Sequence, residues 1–98
     1  MTLLKDPEHS EPKYLHKFAD FTDRRVLEVG SGEGRMTWQY AKAVQVTIGV
    51  DPDRDSLRIA RVDRPHDLES KALFTCAASE YLPFSKETFD IAILAWSL

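Results

Sequence analysis

The stretch that decides the fold covers residues 26–35 and reads Val26-Leu27-Glu28-Val29-Gly30-Ser31-Gly32-Glu33-Gly34-Arg35. An apolar, β-branched run that ends at a glycine cluster is typical of a buried strand followed by a tight turn. Glycines at alternate positions let a ligand approach the main chain without a Cβ in the way. The stretch therefore predicts a strand and a ligand-binding turn, and a turn that binds nothing is the alternative. A helix is predicted to follow, because apolar residues recur at helical spacing at Met36, Tyr40, Ala43 and Val44.

The rest of the chain repeats this alternation of strand and helix. An apolar run at residues 46–50 leads into Asp51-Pro52-Asp53, where Asp53 is a candidate N-cap for a helix over about residues 54–64. Residues 72–77 and 90–96 predict a third and a fourth strand. Unbroken apolar strands that alternate with helices indicate an α/β fold with a parallel sheet covered on both faces. Because such crossovers are right-handed, Asp51 and the glycine loop (residues 30–34) are expected at the same carboxyl edge.

Length and composition limit the organisation to one domain. The chain has 98 residues, no internal repeat and no Gly/Ser-rich linker. We predict an N-terminal arm and helix over residues 1–22, with an arm or loop up to Pro12 and an amphipathic helix over residues 13–21. A βαβ core follows over residues 23–98. The longest apolar run, residues 91–96, is too short to span a bilayer, and the first residues lack the apolar core of a signal peptide. A cytoplasmic protein is expected.

Charge and cysteine content exclude several classes of function. Thirteen basic and sixteen acidic residues give a net charge of −3, which argues against a general nucleic-acid or anionic-membrane surface. The single cysteine, Cys76, excludes an internal disulfide and is expected to be buried in the core. A solvated helix face is predicted for Arg54, Arg58, Arg61 and Arg64. No metal site is expected, because His9, His16 and His66 show no metal-ligand spacing with the cysteine.

The acidic residues around the glycine loop indicate the kind of ligand. The dinucleotide fingerprint requires a third glycine at position 35, which is Arg35 here. Glu28 and Glu33 would also repel a pyrophosphate, whereas Glu28 suits a ligand with an ammonium group. Asp51 follows Gly30 by about twenty residues, and an acidic side chain at this place can accept hydrogen bonds from a ribose diol. The alternative for Asp51 is a turn before Pro52. Together these features suggest an adenosine ligand with a cationic tail that carries no phosphate.

Three segments in order resemble the motifs of one family. Residues 28–34, Glu-Val-Gly-Ser-Gly-Glu-Gly, are similar to the first motif of class I S-adenosylmethionine-dependent methyltransferases, and residues 49–53 resemble their second motif. Residues 78–84, Ala-Ser-Glu-Tyr-Leu-Pro-Phe, followed by Phe89-Asp90, resemble a stretch typical of the small-molecule "type 11" group. The resemblance implies a Rossmann-like three-layer αβα sandwich that binds S-adenosylmethionine and releases S-adenosylhomocysteine. Four strands of the usual seven are present, in the order 3-2-1-4.

The resemblance also implies the roles of individual residues. Glu28 and the backbone near Gly30 and Gly32 would hold the methionyl end of the cofactor, with Ser31 and Gly34 completing the loop. Asp51 would hold the ribose hydroxyls and Pro52 would pack on the adenine. Ser79 and Glu80 would face the adenine edge; the family often has an aspartate at the position of Ala78, so Glu80 is proposed as its substitute. No catalytic residue is assigned, because methyl transfer requires a general base only when the acceptor must lose a proton.

Two alternative functions and one consequence of length remain. The alternatives are a non-catalytic module that binds S-adenosylmethionine and an NAD(P)-binding Rossmann domain.

In the order 3-2-1-4 the fourth strand is left as an open apolar edge, which is a pairing liability. We therefore expect a truncated chain, or a half-domain that covers this edge with a partner chain in a homo-oligomer. A small-molecule methyl acceptor is expected, with neither nucleic acid nor membrane as a partner.

Overall fold

The apolar runs of the sequence form the strands of one sheet in the computed structural model of the chain. The structure describes residues 2–5, 20–78 and 88–95. Its strands are β1 (Thr2–Lys5), β2 (Arg25–Val29), β3 (Val46–Asp51), β4 (Ala72–Cys76) and β5 (Ile91–Leu94), and its helices are α1 (Thr37–Tyr40), α2 (Arg54–Asp63) and a 3₁₀ turn at His66–Leu68. The predicted helix over residues 13–21 lies, up to residue 19, outside the described residues. The division of the chain at residue 22 stays a prediction.

All neighbouring strands of the sheet run parallel, in the order β1-β5-β2-β3-β4. The predicted strands one to four are β2, β3, β4 and β5, so the predicted order 3-2-1-4 is confirmed. Val26 of β2 lies opposite Thr47 of β3 on one side and Ile91 of β5 on the other. This register brings every second residue of neighbouring strands to the same face of the sheet.

The edge that was expected to be open is occupied by a strand from the same chain. Residues 2–5, predicted as part of an arm or loop, form β1 and pair with β5 from Thr2 opposite Ile91 to Lys5 opposite Leu94. The prediction was wrong here because a run this short, followed closely by Pro7, carries no periodicity that separates a strand from a loop. Association of the chain into a homo-oligomer stays a prediction, but an open β5 edge no longer supports it.

The structure confirms the predicted cap of α2 and shows that α1 is shorter than the predicted helix. Asp53 caps α2 as predicted: its Oδ1 accepts hydrogen bonds from the backbone N–H groups of Asp55 and Ser56, and its Oδ2 accepts one from the Ser56 hydroxyl. These hydrogen bonds lower the pKa of Asp53. Helix α1 has only four residues and is followed by turns, although a longer helix was predicted. The spacing of the apolar residues indicates which side of this segment faces the sheet, but it does not set the length of the helix. One helical turn followed by further turns places the same residues against the sheet.

The two faces of the sheet are packed differently. Both helices cover one face, where the residues around α1 and α2 form two buried clusters with β2, β4 and β5. The first contains Phe21, Val26, Met36, Tyr40, Val44, Ile91 and Ile93, and the second contains Ala41, Leu57, Ala60, Leu68, Ala72 and Phe74. The opposite face buries Leu27, Val29, Val50 and Ala92 around Phe89. No helix of the described residues is long and apolar enough to cross a membrane.

Charged side chains stabilise the sheet at two places, and neither of them is at the carboxyl ends of the strands. Asp90 accepts hydrogen bonds from the backbone N–H and the guanidinium of Arg25, which joins the starts of β5 and β2. On the edge strand β4, Arg61 Nη2 donates to the carbonyl oxygen of Phe74 and Arg64 Nη1 donates to that of Ala72, both at 2.8 Å. The arginine stripe of α2 is therefore only partly the solvated face that was predicted, because two of its four members bind backbone.

Replacing Asp90 by Asn is expected to lower the free energy of unfolding at neutral pH. The Arg25 guanidinium lowers the pKa of Asp90 to about 2. A carboxylate whose pKa falls on folding stabilises the protein above its unfolded pKa of about 3.9 and loses this effect as the pH falls through the folded value. Urea denaturation should therefore separate Asp90→Asn from the wild type at neutral pH and show the difference shrinking as the pH approaches 2.

Asp55→Asn is the matched control for this experiment. Asp55 pairs with Arg58 at 3.9 Å, and both side chains are largely exposed. Exposed pairs at this spacing contribute little, so this variant should unfold with the wild type at every pH. A difference between Asp90→Asn and the wild type that stays constant down to pH 2 would contradict the pKa argument.

Candidate functional site

A cavity of about 390 Å³ lies at the carboxyl edge of the sheet. The chain runs from β2 to β3 and β4 on one side, then returns to place β5 on the other side of β2, so the strand order reverses between β2 and β5. Ligands of open α/β sheets bind at such a reversal, outside the carboxyl ends of the strands. The described residues that line the cavity are Glu28, Gly30, Ser31, Gly32, Glu33, Arg35, Met36, Ser56 and Ala95. Four of the nine predicted cofactor-binding residues are among them: Glu28, Gly30, Ser31 and Gly32.

The glycine loop folds back onto the end of β3. The N–H groups of Gly30 and Ser31 both donate to the carbonyl oxygen of Val50, at 2.8 and 3.1 Å. All three loop glycines have positive φ, and Gly34 at φ 87° leaves no room for a side chain, because a Cβ there would lie 2.5 Å from Trp38 Cζ2. Residues with a Cβ rarely adopt this conformation. Gly34 does not line the cavity among the described residues, so the structure gives it a backbone role.

A second glycine, in β3, lets the loop approach the sheet. A Cβ on Gly49 would lie 2.6 Å from Ser31 Oγ and 2.8 Å from Phe74 Cδ1. The Ser31 hydroxyl therefore packs over Gly49. It is buried, with 7% of the residue exposed, and has no hydrogen-bond partner among the described residues. When a ligand or a water molecule forms a hydrogen bond with a buried polar atom of this kind, the contact stabilises the complex. Gly49 belongs to the second motif of the sequence, and its spacing there gives no sign of this contact.

The Glu28 carboxylate is completely buried and accepts hydrogen bonds from two side chains of α1. Its Oε1 accepts hydrogen bonds from Thr37 Oγ1 at 2.8 Å and from the Tyr40 hydroxyl at 2.5 Å. The Tyr40 hydroxyl also lies 2.9 Å from Thr47 Oγ1. Since Tyr40 gives its single proton to the carboxylate, Thr47 must donate to Tyr40. Burial and the charge of Glu28 raise the pKa of Tyr40 well above its ordinary value, which keeps this donor protonated.

Sequence reasoning missed these supports of Glu28. Tyr40 was assigned to the core from its place in the apolar stripe, and its ring does stack on Phe21 with centroids 5.1 Å apart. The spacing of Thr37 and Tyr40 by three residues places both on one face of a helix and could have indicated a shared acceptor. A buried carboxylate without such donors costs several kcal/mol. The network therefore explains how Glu28 can stand at the cavity wall with its charge.

Asp51 joins the end of β3 to the glycine loop. Its Oδ2 accepts from the N–H of Gly32 at 3.0 Å, and its Oδ1 accepts from the N–H of Asp53 at 2.8 Å. The second contact is the turn before Pro52 that was the alternative for this residue, and the first brings the carboxylate beside the cavity. A carboxylate offers about four acceptor positions, so these two contacts leave capacity for the hydroxyls of a ligand.

Of the remaining predicted contacts, the structure describes Pro52, which follows Asp51 directly. Pro52 is exposed, as a surface that packs on an aromatic ring must be. Cys76, predicted to be buried, is exposed at the end of the edge strand β4, and its Sγ lies 3.6 Å from the carbonyl oxygen of Pro52. The prediction was wrong because it took a residue near a strand end for an interior one. Ser79 and Glu80 lie outside the described residues, and their proposed adenine contacts stay predictions.

The lining of the cavity combines open backbone with charged side chains of both signs. A Cβ added to Gly32 would meet no atom within 4 Å, so the loop leaves open space where a ligand can approach the backbone. Glu28 and Glu33 supply negative charge for an ammonium group, and Arg35 supplies one positive charge. Asp51 supplies acceptors for hydroxyl groups on the neighbouring strand.

Comparisons with known proteins find similarity to methyltransferases. A family profile described as a methyltransferase domain matches residues 26–98. The uncharacterized methyltransferase YcgJ of Bacillus subtilis (strain 168) is 30% identical over 69 residues, which cover 70% of this chain and 27% of that protein. The ubiquinone/menaquinone biosynthesis C-methyltransferase UbiE of Wigglesworthia glossinidia brevipalpis is 31% identical over 78 residues, or 76% of this chain and 31% of that protein.

A solved structure extends the similarity to three dimensions. The crystal structure of the Bacillus subtilis YcgJ protein superposes with a TM-score of 0.75 and 28% identity, over 83% of this chain and 35% of that one. The chain thus spans about a third of the length of the relatives it matches. The description of the matched family profile names no subgroup, and membership of the "type 11" group stays a prediction.

Replacing Gly34 by Ala is expected to destabilise the chain by about 2–4 kcal/mol. About 1–2 kcal/mol comes from placing a Cβ at positive φ, and the rest from the contact with the Trp38 ring. Gly32→Ala is the matched control, because its φ is also positive but its Cβ would meet nothing within 4 Å. Urea denaturation of both variants should show the smaller loss for Gly32→Ala. Equal losses would contradict the packing argument.

Replacing Tyr40 by Phe is expected to destabilise the chain by about 1.5–3 kcal/mol, the usual contribution of a hydrogen bond to a charged group. The variant keeps the stacking on Phe21 and removes the hydroxyl that donates to Glu28 and accepts from Thr47. Thr47→Val removes the donor to Tyr40 and should cost less. Equilibrium unfolding of the two single variants and the double variant should give non-additive losses, and full additivity would argue against one connected network.

Proposed function

The chain belongs to the class I S-adenosylmethionine-dependent methyltransferases, and from this premise we propose that it is the cofactor-binding part of an enzyme. The enzyme would transfer a methyl group from S-adenosylmethionine to a small-molecule acceptor by in-line displacement. The observation that carries the proposal is the pair of carboxylates at the ends of neighbouring strands. Glu28 is the last residue but one of β2, below the glycine loop, and Asp51 ends β3 and bonds to the same loop through Gly32.

The hydrogen bonding of the glycine loop argues against the dinucleotide alternative. A pyrophosphate is held by free N–H groups at the start of a helix. In this chain the N–H groups of Gly30, Ser31 and Gly32 already donate to Val50 and Asp51, and that of Gly34 donates to the carbonyl oxygen of Ser31. The described loop therefore presents few donors and two nearby carboxylates, which disfavours a phosphate and favours a cationic ligand.

The residues of the chain can bind and orient such a ligand. Glu28 would attract the ammonium group, Asp51 would accept the ribose hydroxyls, and Pro52 would pack against the adenine. When bound, S-adenosylmethionine supplies a methyl group already activated by its sulfonium. The task of the protein is then to orient this group toward the acceptor and to exclude water, and much of the rate enhancement can come from this positioning. None of the described residues is assigned as a general base.

The acceptor is proposed to be a small molecule on two grounds. The net charge of −3 offers no general attraction for nucleic acid, and residues 78–84 resemble the corresponding stretch of small-molecule methyltransferases. A cytoplasmic location also stays a prediction. With labelled S-adenosylmethionine, transfer to the low-molecular-weight fraction of a cell extract would support this acceptor class. Transfer to the RNA or protein fraction would contradict it.

Calorimetric titration with S-adenosylhomocysteine and with NAD tests the cofactor. We expect binding of S-adenosylhomocysteine and little or no binding of NAD. The reverse preference would overturn the proposal. Binding of S-adenosylhomocysteine is also expected of the non-catalytic module, and observed methyl transfer would distinguish the enzyme from it.

Asp51→Ala is expected to weaken S-adenosylhomocysteine binding by about 1–3 kcal/mol, because a carboxylate that accepts ribose hydroxyls forms charge-assisted hydrogen bonds. Asp51 also holds Gly32, so a 2′-deoxy analogue of the ligand separates the two roles. The wild type should prefer the ligand with the hydroxyl, and the variant should show little preference. Asp55→Asn, in the exposed first turn of α2, is the control. If Asp51→Ala still prefers the ligand that carries the 2′-hydroxyl, Asp51 does not bind the ribose and serves only the turn before Pro52.

A further inference from the structure

The carboxylate of the amino-acid tail lacks an obvious partner in the glycine loop. By resemblance, the backbone near Gly30 and Gly32 was expected to hold this end of the cofactor. The N–H groups of both residues bond within the protein, to Val50 O at 2.8 Å and to Asp51 Oδ2 at 3.0 Å. These positions can therefore offer a ligand carbonyl oxygens and a surface without a Cβ, and neither feature attracts an anion.

The acidic side chains that line the cavity also disfavour a ligand carboxylate. Glu28 and Glu33 both line it and repel a carboxylate. Such repulsion is strongest for Glu28, because it is completely buried in a medium of low dielectric constant. A ligand with an ammonium and a carboxylate on one carbon must therefore place its carboxylate near a compensating cation.

One cation lines the cavity among the described residues, and it is Arg35. The chain turns at Gly34, which has a φ of 87°. Of the next two residues, Arg35 is exposed and Met36 is buried in the core. Among the described residues, Arg35 forms neither an ion pair nor a side-chain hydrogen bond, whereas Arg25, Arg58, Arg61 and Arg64 all have partners there. Its guanidinium is available to an anion that enters the cavity.

We propose that Arg35 binds the carboxylate of the amino-acid tail of the cofactor and so sets the specificity for ligands that carry this group. The inference rests on the proposed function. A guanidinium matches a carboxylate with two parallel N–H···O hydrogen bonds, which a lysine cannot reproduce. Glu28 and Arg35 then divide the zwitterion between them, with the ammonium near the buried carboxylate and the carboxylate near the exposed guanidinium.

The test compares two ligands on three proteins by calorimetric titration. The ligands are S-adenosylhomocysteine and its decarboxylated analogue, which keeps the ammonium group but lacks the carboxylate. The proteins are the wild type, Arg35→Gln and the control Arg58→Gln, in which an exposed arginine of α2 is changed. For Arg35→Gln we expect binding of S-adenosylhomocysteine to weaken about tenfold to a hundredfold and binding of the analogue to change less than about twofold. Arg58→Gln should match the wild type with both ligands.

The outcomes separate this inference from the proposed function. If the wild type binds neither ligand, the proposed function fails. If the wild type binds S-adenosylhomocysteine and Arg35→Gln binds it equally well, or loses both ligands to the same extent, the role of Arg35 is overturned. Arg35→Lys should fall between the wild type and Arg35→Gln, because it keeps the charge and loses the paired geometry. Thermal unfolding of each variant checks that the fold is intact, as expected for an exposed side chain.

Discussion

The return of the glycine loop onto the end of β3 is the constraint on which the site depends. The Val50 carbonyl oxygen accepts two N–H groups of the loop and Asp51 accepts a third, so the main chain reverses with its donors satisfied. This close approach is what requires a bare Cα at Gly49, under the Ser31 side chain. It also decides the chemistry of the cavity. A loop that uses its N–H groups internally presents few donors to a ligand, so any anion must be bound by a side chain.

Glu28 links this loop to the core. A carboxylate buried at the end of a central strand needs donors, and α1 supplies two of them from positions three residues apart. One turn of helix is enough for this purpose, and α1 is one turn long. Thr47 extends the network to β3, beside the strand that carries Glu28. The stability of the core and the charge at the cavity wall therefore depend on the same few side chains.

Local patterns predicted most of the fold because each predicted element has its own signal. The strands from residue 25 onward follow from apolar runs, and α2 follows from the Asp53 cap and Pro65. The loop and Asp51 follow from glycine spacing and acidic placement. The missed features depend on contacts between distant residues. Strand β1 becomes a strand only by pairing with β5, and Tyr40 becomes a donor only because Glu28 lies twelve residues before it in the chain and beside it in space. The exposure of Cys76 depends on β4 lying at the edge.

The same helix that covers one face of the sheet also closes its β4 edge. Outward carbonyl groups of an edge strand are acceptors that invite pairing with another strand. Arg61 and Arg64 are about 4.5 Å apart along α2, and the carbonyl groups of Phe74 and Ala72 that they bind are about 6.6 Å apart along β4. The later arginine binds the earlier strand residue, as expected where a crossover helix runs antiparallel to its strand, and the long side chains span the difference. With β1 paired along β5 at the other end of the sheet, both sides of the four predicted strands are occupied. These contacts lie along the edge strands, whereas the cavity lies at the carboxyl edge of the sheet.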